Sequence, residues 1–114
     1  MRVSVKEWIK LIKSSDDKLV IAFESNNIAG QTKTFDLDFS NEQTGSNFNG
    51  VSSYVDMVEG SDNKLKIVYR DDGNSGYGTF RSCDLDGTNC GGEIVFNDDT
   101  TLPTTILEIN NLLF

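Results

Sequence analysis

Apolar and polar residues alternate along several short segments of this chain, with the period of two that is typical of half-buried strands. Residues 18–24 and 64–70 show the alternation most clearly. Their apolar faces carry Leu19, Ile21 and Phe23 in the first segment and Leu65, Ile67 and Tyr69 in the second. Clusters of Ser, Asp, Asn and Gly separate such segments, as in hairpin turns. The pattern predicts an all-β chain of short antiparallel strands.

The same pattern occurs twice. Residues 8–23 align with 54–69 at an offset of 46, and residues 36–41 align with 84–89 at an offset of 48. A two-residue insertion in the glycine-rich segment 71–78 accounts for the change of offset. The chain is therefore predicted to be a single domain of two repeats, unit 1 (about 6–52) and unit 2 (about 53–102), with a partial third at about 103–114.

Each unit is predicted to contain four strands. The ranges are 7–13, 18–24, 32–39 and 46–52 in unit 1, and 53–58, 64–70, 78–85 and 92–97 in unit 2. The third strand of unit 1 is expected to place Phe35, Leu37 and Phe39 on one face. The partial third unit repeats the first pattern in Leu107–Ile109 and stops at Phe114.

Residues 5–14 allow an alternative, an α+β fold with an N-terminal helix. Ser4 to Glu7 fit a capping box, and Val5, Trp8 and Ile12 lie on one helical face. The later copies of this segment alternate instead, and Gly60 and Pro103 disfavour helices there. We therefore predict a strand here and keep the helix as the alternative.

The segment Ile67–Phe80, IVYRDDGNSGYGTF, resembles a bacterial repeat of about 50 residues whose blades read VIAYRDxGNxxYGTF. The turn at Asp84–Gly87 and the strand at Val95–Asn97 match the same repeat. The resemblance implies β-propeller blades in a surface or secreted protein, and it implies fold rather than activity. Because a propeller needs four or more blades, it also implies a homo-oligomer or further repeats of a longer chain.

The formal net charge is −8, from 18 acidic and 10 basic residues. Such a chain repels phosphate backbones and anionic membranes, so nucleic acid and membrane are excluded as expected partners. No apolar stretch is long enough for a membrane span, and the charged N-terminus does not fit a signal peptide. The compartment is not decided by these residues.

Cys83 and Cys90 flank a turn-like segment, and a hairpin there would bring the sulfur atoms together. Free thiols are the equal alternative. Two cysteines without any histidine do not form a structural zinc site.

Two matching turns suggest calcium. They contain Asp36, Asp38 and Asn41 in unit 1 and Asp84, Asp86 and Asn89 in unit 2. Calcium takes six to eight oxygen ligands, and each turn supplies two carboxylates and an amide. The interpretation that we favour is that these side chains hydrogen-bond their own backbone, with no cofactor.

A second candidate site is a polar ligand site for a carbohydrate or a protein. Arg70 and Asp71 precede the glycine-rich segment and could hold a polar ligand, or pair with each other. Trp8, Tyr54 and Tyr69 could stack on sugars, although their repeat positions favour a place in the core. No catalytic residues are predicted, because the chain has no histidine and only three arginines.

Two functional hypotheses follow. The first is a non-enzymatic binding or scaffold module of propeller-like blades, lectin-like in character and completed by oligomerisation. The second is a small stand-alone α+β domain that binds a protein partner through its acidic surface.

Overall fold

The computed structural model describes residues 5–25 and 29–100, and every regular element within these ranges is a strand. Unit 1 forms β1 (Val5–Lys13), β2 (Lys18–Ser25), β3 (Ala29–Asp36) and β4 (Gln43–Thr44). Unit 2 forms β5 (Ser52–Glu59), β6 (Leu65–Asp71), β7 (Tyr77–Cys83) and β8 (Ile94–Thr100). Each unit is a four-stranded antiparallel sheet with its strands in sequence order. The predicted all-β class is confirmed. The partial third unit lies outside the described residues.

The helical alternative for residues 5–14 is wrong, because Val5–Lys13 is a strand. It pairs with β2 in a register that sets Lys10 opposite Ala22 and Ile12 opposite Val20. In this register alternate residues of β1 face unit 2, and Ile12 packs against the core there. Tertiary pairing of this kind overrides a local capping signal.

The third and fourth strands of unit 1 differ from the prediction. Strand β3 ends at Asp36, so Leu37 and Phe39 lie in the following turn, where they are 48% and 59% exposed. Strand β4 has only two residues, instead of spanning 46–52. The chain after it stays beside β3 through an isolated bridge between Gly30 and Asn49, and it turns Phe48 into the core.

The first hairpin of each unit has the same geometry. The backbone N–H of Ser14 donates to Lys18 O, and that of Gly60, at the same repeat position, donates to Lys64 O, both at 2.8 Å. Asp17 and Asn63, also at one repeat position, have left-handed φ values of 61° and 59°. Asn and Asp tolerate this conformation better than most residues. The two units therefore share their turns as well as their sequence pattern.

The core of the molecule lies between the two sheets. Unit 1 contributes Val20, Ala22 and Phe48, which are fully buried. Unit 2 contributes Val55, Met57, Leu65, Ile67, Tyr69 and Cys83. Successive residues of a strand face opposite ways, so unit 2 presents one face of β5 and β6 to unit 1.

Polar contacts surround this core. The Glu24 carboxylate is buried and accepts a hydrogen bond from the Ser52 backbone N–H. At the rim, the backbone N–H of Ser15 donates to Glu59 Oε1 at 2.7 Å, and Lys10 Nζ lies 3.3 Å from Asp56 Oδ1. Hydrogen bonds to charged groups are stronger than neutral ones and depend on direction. The two sheets are thus held in one relative position.

Candidate functional site

The predicted calcium turns are built alike in both units. Asn41 Nδ2 donates to Asp36 Oδ2, and Asn89 Nδ2 donates to Asp84 Oδ2. The first aspartate of each turn also accepts from a lysine at the start of β2 in unit 1 and immediately before β6 in unit 2. These lysines are Lys18 for Asp36 and Lys64 for Asp84.

The second aspartate of each turn binds its own backbone. Asp38 Oδ1 accepts from the backbone N–H of Ser40 at 3.0 Å, and Asp86 Oδ1 accepts from that of Thr88 at 3.0 Å. The adjacent hydroxyl groups donate to the same oxygen atoms. This is the turn chemistry that Asp favours without any ligand.

These donors change the pKa of the carboxyl groups. The hydrogen bond from Lys18, followed by that from Asn41, lowers the pKa of Asp36, and Lys64 and Asn89 lower the pKa of Asp84 in the same way. The hydroxyl of Ser40 lowers the pKa of Asp38. A calcium ion at either turn would have to displace an ammonium group and an amide N–H₂ from the first aspartate. Within residues 5–25 and 29–100 no three acidic or cysteine side chains are grouped as a metal site, and calcium binding stays a prediction.

The residues of the predicted polar ligand site are divided between two faces of unit 2. The Arg70 guanidinium lies 5.7 Å from the centre of the Tyr54 ring, within the range of a cation–π contact. Its Nε is 2.9 Å from Asp72 Oδ1. Gly76 lies beneath the guanidinium, where an added Cβ would stand 3.0 Å from Arg70 Nε. Tyr54 and Arg70 are both partly exposed, so this pair is open to a ligand.

Two further residues of that site, Tyr69 and Asp71, lie in or beside the core between the sheets. Tyr69 is 1% exposed, its ring centre is 5.1 Å from that of Phe48, and its hydroxyl donates to Phe48 O at 3.4 Å. Burial raises the pKa of the Tyr69 hydroxyl. Asp71, 6% exposed, accepts from Asn49 Nδ2 at 3.1 Å. Trp8 lies in β1, and its side chain is outside the described part of the molecule.

The cysteines form a disulfide, Cys83–Cys90, which closes the turn after β7. Arg81 binds to the same segment, with Nε donating to Gly91 O at 2.8 Å. The Arg81 Nη1 donates to Phe48 O, also at 2.8 Å. The arginine therefore links the closed turn of unit 2 to unit 1.

One face of the unit 1 sheet carries apolar residues that the sequence did not identify as a surface. Ile9 and Leu11 of β1 are 56% and 48% exposed, and they point away from unit 2 because Ile12 points towards it. The same face continues across the sheet as Leu19, Ile21, Lys33 and Phe35, which are half-buried, and Phe23, which is 7% exposed. We call these seven residues the open face.

The corresponding positions in unit 2 are buried. Val55 and Met57, at the repeat positions of Ile9 and Leu11, are 8% and 0% exposed beneath unit 1. Leu65 and Ile67, at the positions of Leu19 and Ile21, are also 0% exposed. The open face is therefore the same surface as the one that unit 1 covers on unit 2. The two surfaces differ in burial but hardly in residue type, so the sequence alone does not distinguish the open face from its buried copy.

No helix in the described part of the chain is long and apolar enough to cross a membrane. Comparison with protein-family models, with curated proteins and with solved structures gave no match.

Proposed function

We propose that this chain is a non-enzymatic binding or scaffold module of propeller-like blades, completed by association with further units of the same kind. The observation that supports the proposal is the open face of unit 1. Its copy in unit 2 is covered by a neighbouring unit, so the face has the shape and apolar character of an inter-unit contact. Exposed apolar surface of this kind marks interaction sites in soluble proteins.

The two described units are fewer than the blades of one propeller, which agrees with a need for further units. A propeller has typically four to eight blades, and the chain contributes two complete units. Two, three or four chains would therefore supply the blades of one ring. Rings of identical subunits are a common form of closed assembly.

The arginines support a structural role rather than catalysis. Arg81 holds the backbone of Phe48 and of Gly91, and Arg70 is paired with Asp72. The turn aspartates are likewise bound to lysine, asparagine and backbone donors. Groups engaged in this way stabilise turns and hold the units together.

Sedimentation equilibrium of the wild-type chain and of Leu11→Arg tests the proposal. We expect the wild type to associate reversibly and the variant to associate far less, because arginine places a charge on the open face. Val95→Arg is the matched control, since it puts the same charge on a 44% exposed valine of β8. A wild-type chain that stays monomeric at every concentration would contradict the proposal.

A second candidate is a lectin-like polar ligand site at Tyr54 and Arg70. Their stacked, partly exposed side chains support it, since a ring and a guanidinium together offer an apolar face and hydrogen-bond donors. Titration with a panel of neutral and acidic sugars, followed by calorimetry, tests it. Binding that is lost in Tyr54→Ala and kept in Tyr77→Ala would support the site, and no binding of any sugar would refute it.

A further inference from the structure

Among the described residues of unit 1, Phe48 is the largest side chain in the core shared with unit 2. It is fully buried, and its ring packs against Tyr69 with the centres 5.1 Å apart. Its carbonyl oxygen accepts from Arg81 Nη1 at 2.8 Å. Gly30 makes room for the ring, because an added Cβ there would lie 2.4 Å from Phe48 Cε1.

The residues that form this contact recur on the outer surfaces of the molecule. Phe96, 48 positions after Phe48, is 47% exposed on β8. Gly78 pairs with Asn97 as Gly30 pairs with Asn49, so both units have a glycine at this repeat position. Unit 2 therefore carries an exposed copy of the side chain that anchors unit 1.

The open face carries the matching partners. Phe23, which is only 7% exposed in the single chain, stands at the repeat position of Tyr69. Lys33, whose ammonium donates to Glu42 Oε2 at 2.6 Å, stands at that of Arg81. An aromatic ring and a cation able to donate to a carbonyl oxygen are thus both kept. Phe96 and the open face thus stand at the repeat positions of the inner contact, whereas Lys66 and Val68, the copies of Val20 and Ala22, are already buried in the single chain.

Charge at the rim agrees with this pairing. Lys10 and Asp56 occupy the same repeat position with opposite signs, and within the chain they form an ion pair at 3.3 Å. A second copy placed on the open face as unit 1 is placed on unit 2 would bring its Asp56 towards Lys10. Complementary charge favours this orientation over one that sets like charges together.

We propose that copies of this chain bind head to tail, with Phe96 of one copy seated on the open face of the next. The proposal rests on the proposed function, because it names the partner that covers the open face. The contact is heterologous, since each chain gives one surface and receives the other, so that two to four copies can close a ring.

The contact between copies differs from the inner one in two places. Gly87 approaches unit 1 so closely that an added Cβ would lie 1.9 Å from Thr32 Oγ1, but the open-face side carries Phe39 at that position. Docked copies must therefore stand further apart at this corner. Val58 and Val68 are already buried in the single chain, at 6% and 1% exposure. The apolar area that docking would newly bury therefore comes from Phe96, Ile9 and Leu11.

A mixing experiment with two variants tests the head-to-tail geometry. Leu11→Arg places a charge on the open face and leaves Phe96 intact. Phe96→Ser removes the inserted aromatic ring and leaves the open face intact. We expect each variant alone to associate at least roughly tenfold more weakly than the wild type, because each loses one large apolar contact. An equimolar mixture should form a dimer that grows no further, since one intact contact remains. Sedimentation velocity measures both results.

Val95→Ser is the matched control for Phe96→Ser, because it removes an exposed apolar residue from the same strand and should leave association unchanged. Urea unfolding of each variant shows that the chain is folded.

The outcomes separate this inference from the proposed function. If the wild type associates but Phe96→Ser associates equally well, or if the mixture forms no dimer, the head-to-tail contact is wrong and the proposed function stands. If the wild type is monomeric throughout, both the proposed function and the head-to-tail contact fail.

Discussion

Ile21 and Ile67 occupy the same repeat position in different environments, which allows a matched test of the inner contact. Ile67 is 0% exposed between the two sheets, whereas Ile21 lies half-buried on the open face. Replacing either with alanine removes the same three carbon atoms. Any difference in the free energy of unfolding therefore comes from the surroundings and not from the chemistry of the side chain.

The magnitudes follow from burial. Three carbons at about 0.8 kcal/mol each give a transfer cost of about 2.4 kcal/mol for Ile67→Ala. The cavity left behind raises the total to about 2–5 kcal/mol. Ile21→Ala loses about half of the transfer cost and leaves no closed cavity, so we expect about 1 kcal/mol.

Urea unfolding at a concentration where the chain is monomeric measures both variants, and an unchanged m value shows that the comparison is valid. If Ile67→Ala does not fold, the pair Ile67→Val and Ile21→Val gives the same contrast, with about 0.5–1.5 kcal/mol at Ile67. Equal losses at the two positions would refute the assignment of the core to the space between the sheets.

Three further predictions concern the turns. Reduction of Cys83–Cys90, which are seven positions apart, should lower the free energy of unfolding by about 2 kcal/mol, because the short closed loop restrains the unfolded chain. Melting with and without reductant measures this loss, and an unchanged midpoint would contradict it. Gly87→Ala should cost more than about 1–2 kcal/mol, since φ is +79° and the new Cβ meets Thr32, whereas Phe39→Ala at the matching exposed position should cost much less. Urea unfolding compares the two, and similar losses would argue against the close approach of Gly87 to unit 1. The pKa values of Asp36 and Asp84 are lowered below 3.8 by their lysine partners, so the folded chain binds fewer protons than the unfolded chain as the pH falls through that value. Stability should therefore fall below about pH 4, more steeply in the wild type than in Asp84→Asn, and equal acid profiles would contradict the lysine–aspartate pairing.

The strands that pair within a unit could be predicted from the sequence. Alternation in 18–24 and 64–70 identified β2 and β6 to within one residue at each end. The repeat also carried the choice of strand over helix for residues 5–13, where the local signal alone favours a helix. The repeat was informative because the same strand pattern occurs in both units.

The short fourth strand of unit 1 and the site residues were harder to predict. Phe48 leaves the sheet pattern because it fills the space between two units, and only tertiary structure shows that space. Leu37 and Phe39 continue the alternation of β3, but the turn begins at the Asp36 carbonyl, which accepts from the Phe39 N–H at 2.9 Å. Leu19 and Leu65 are the same residue at the same repeat position, so no sequence pattern distinguishes the half-buried copy from the fully buried one.

We propose above that the open face of unit 1 is a contact surface for further units. Absolute mass in solution, measured by light scattering on the wild-type chain over a wide concentration range, tests it most directly. We expect discrete multiples of the chain mass that reach two to four copies, because a propeller has four to eight blades. A mass equal to one chain at every concentration would contradict it.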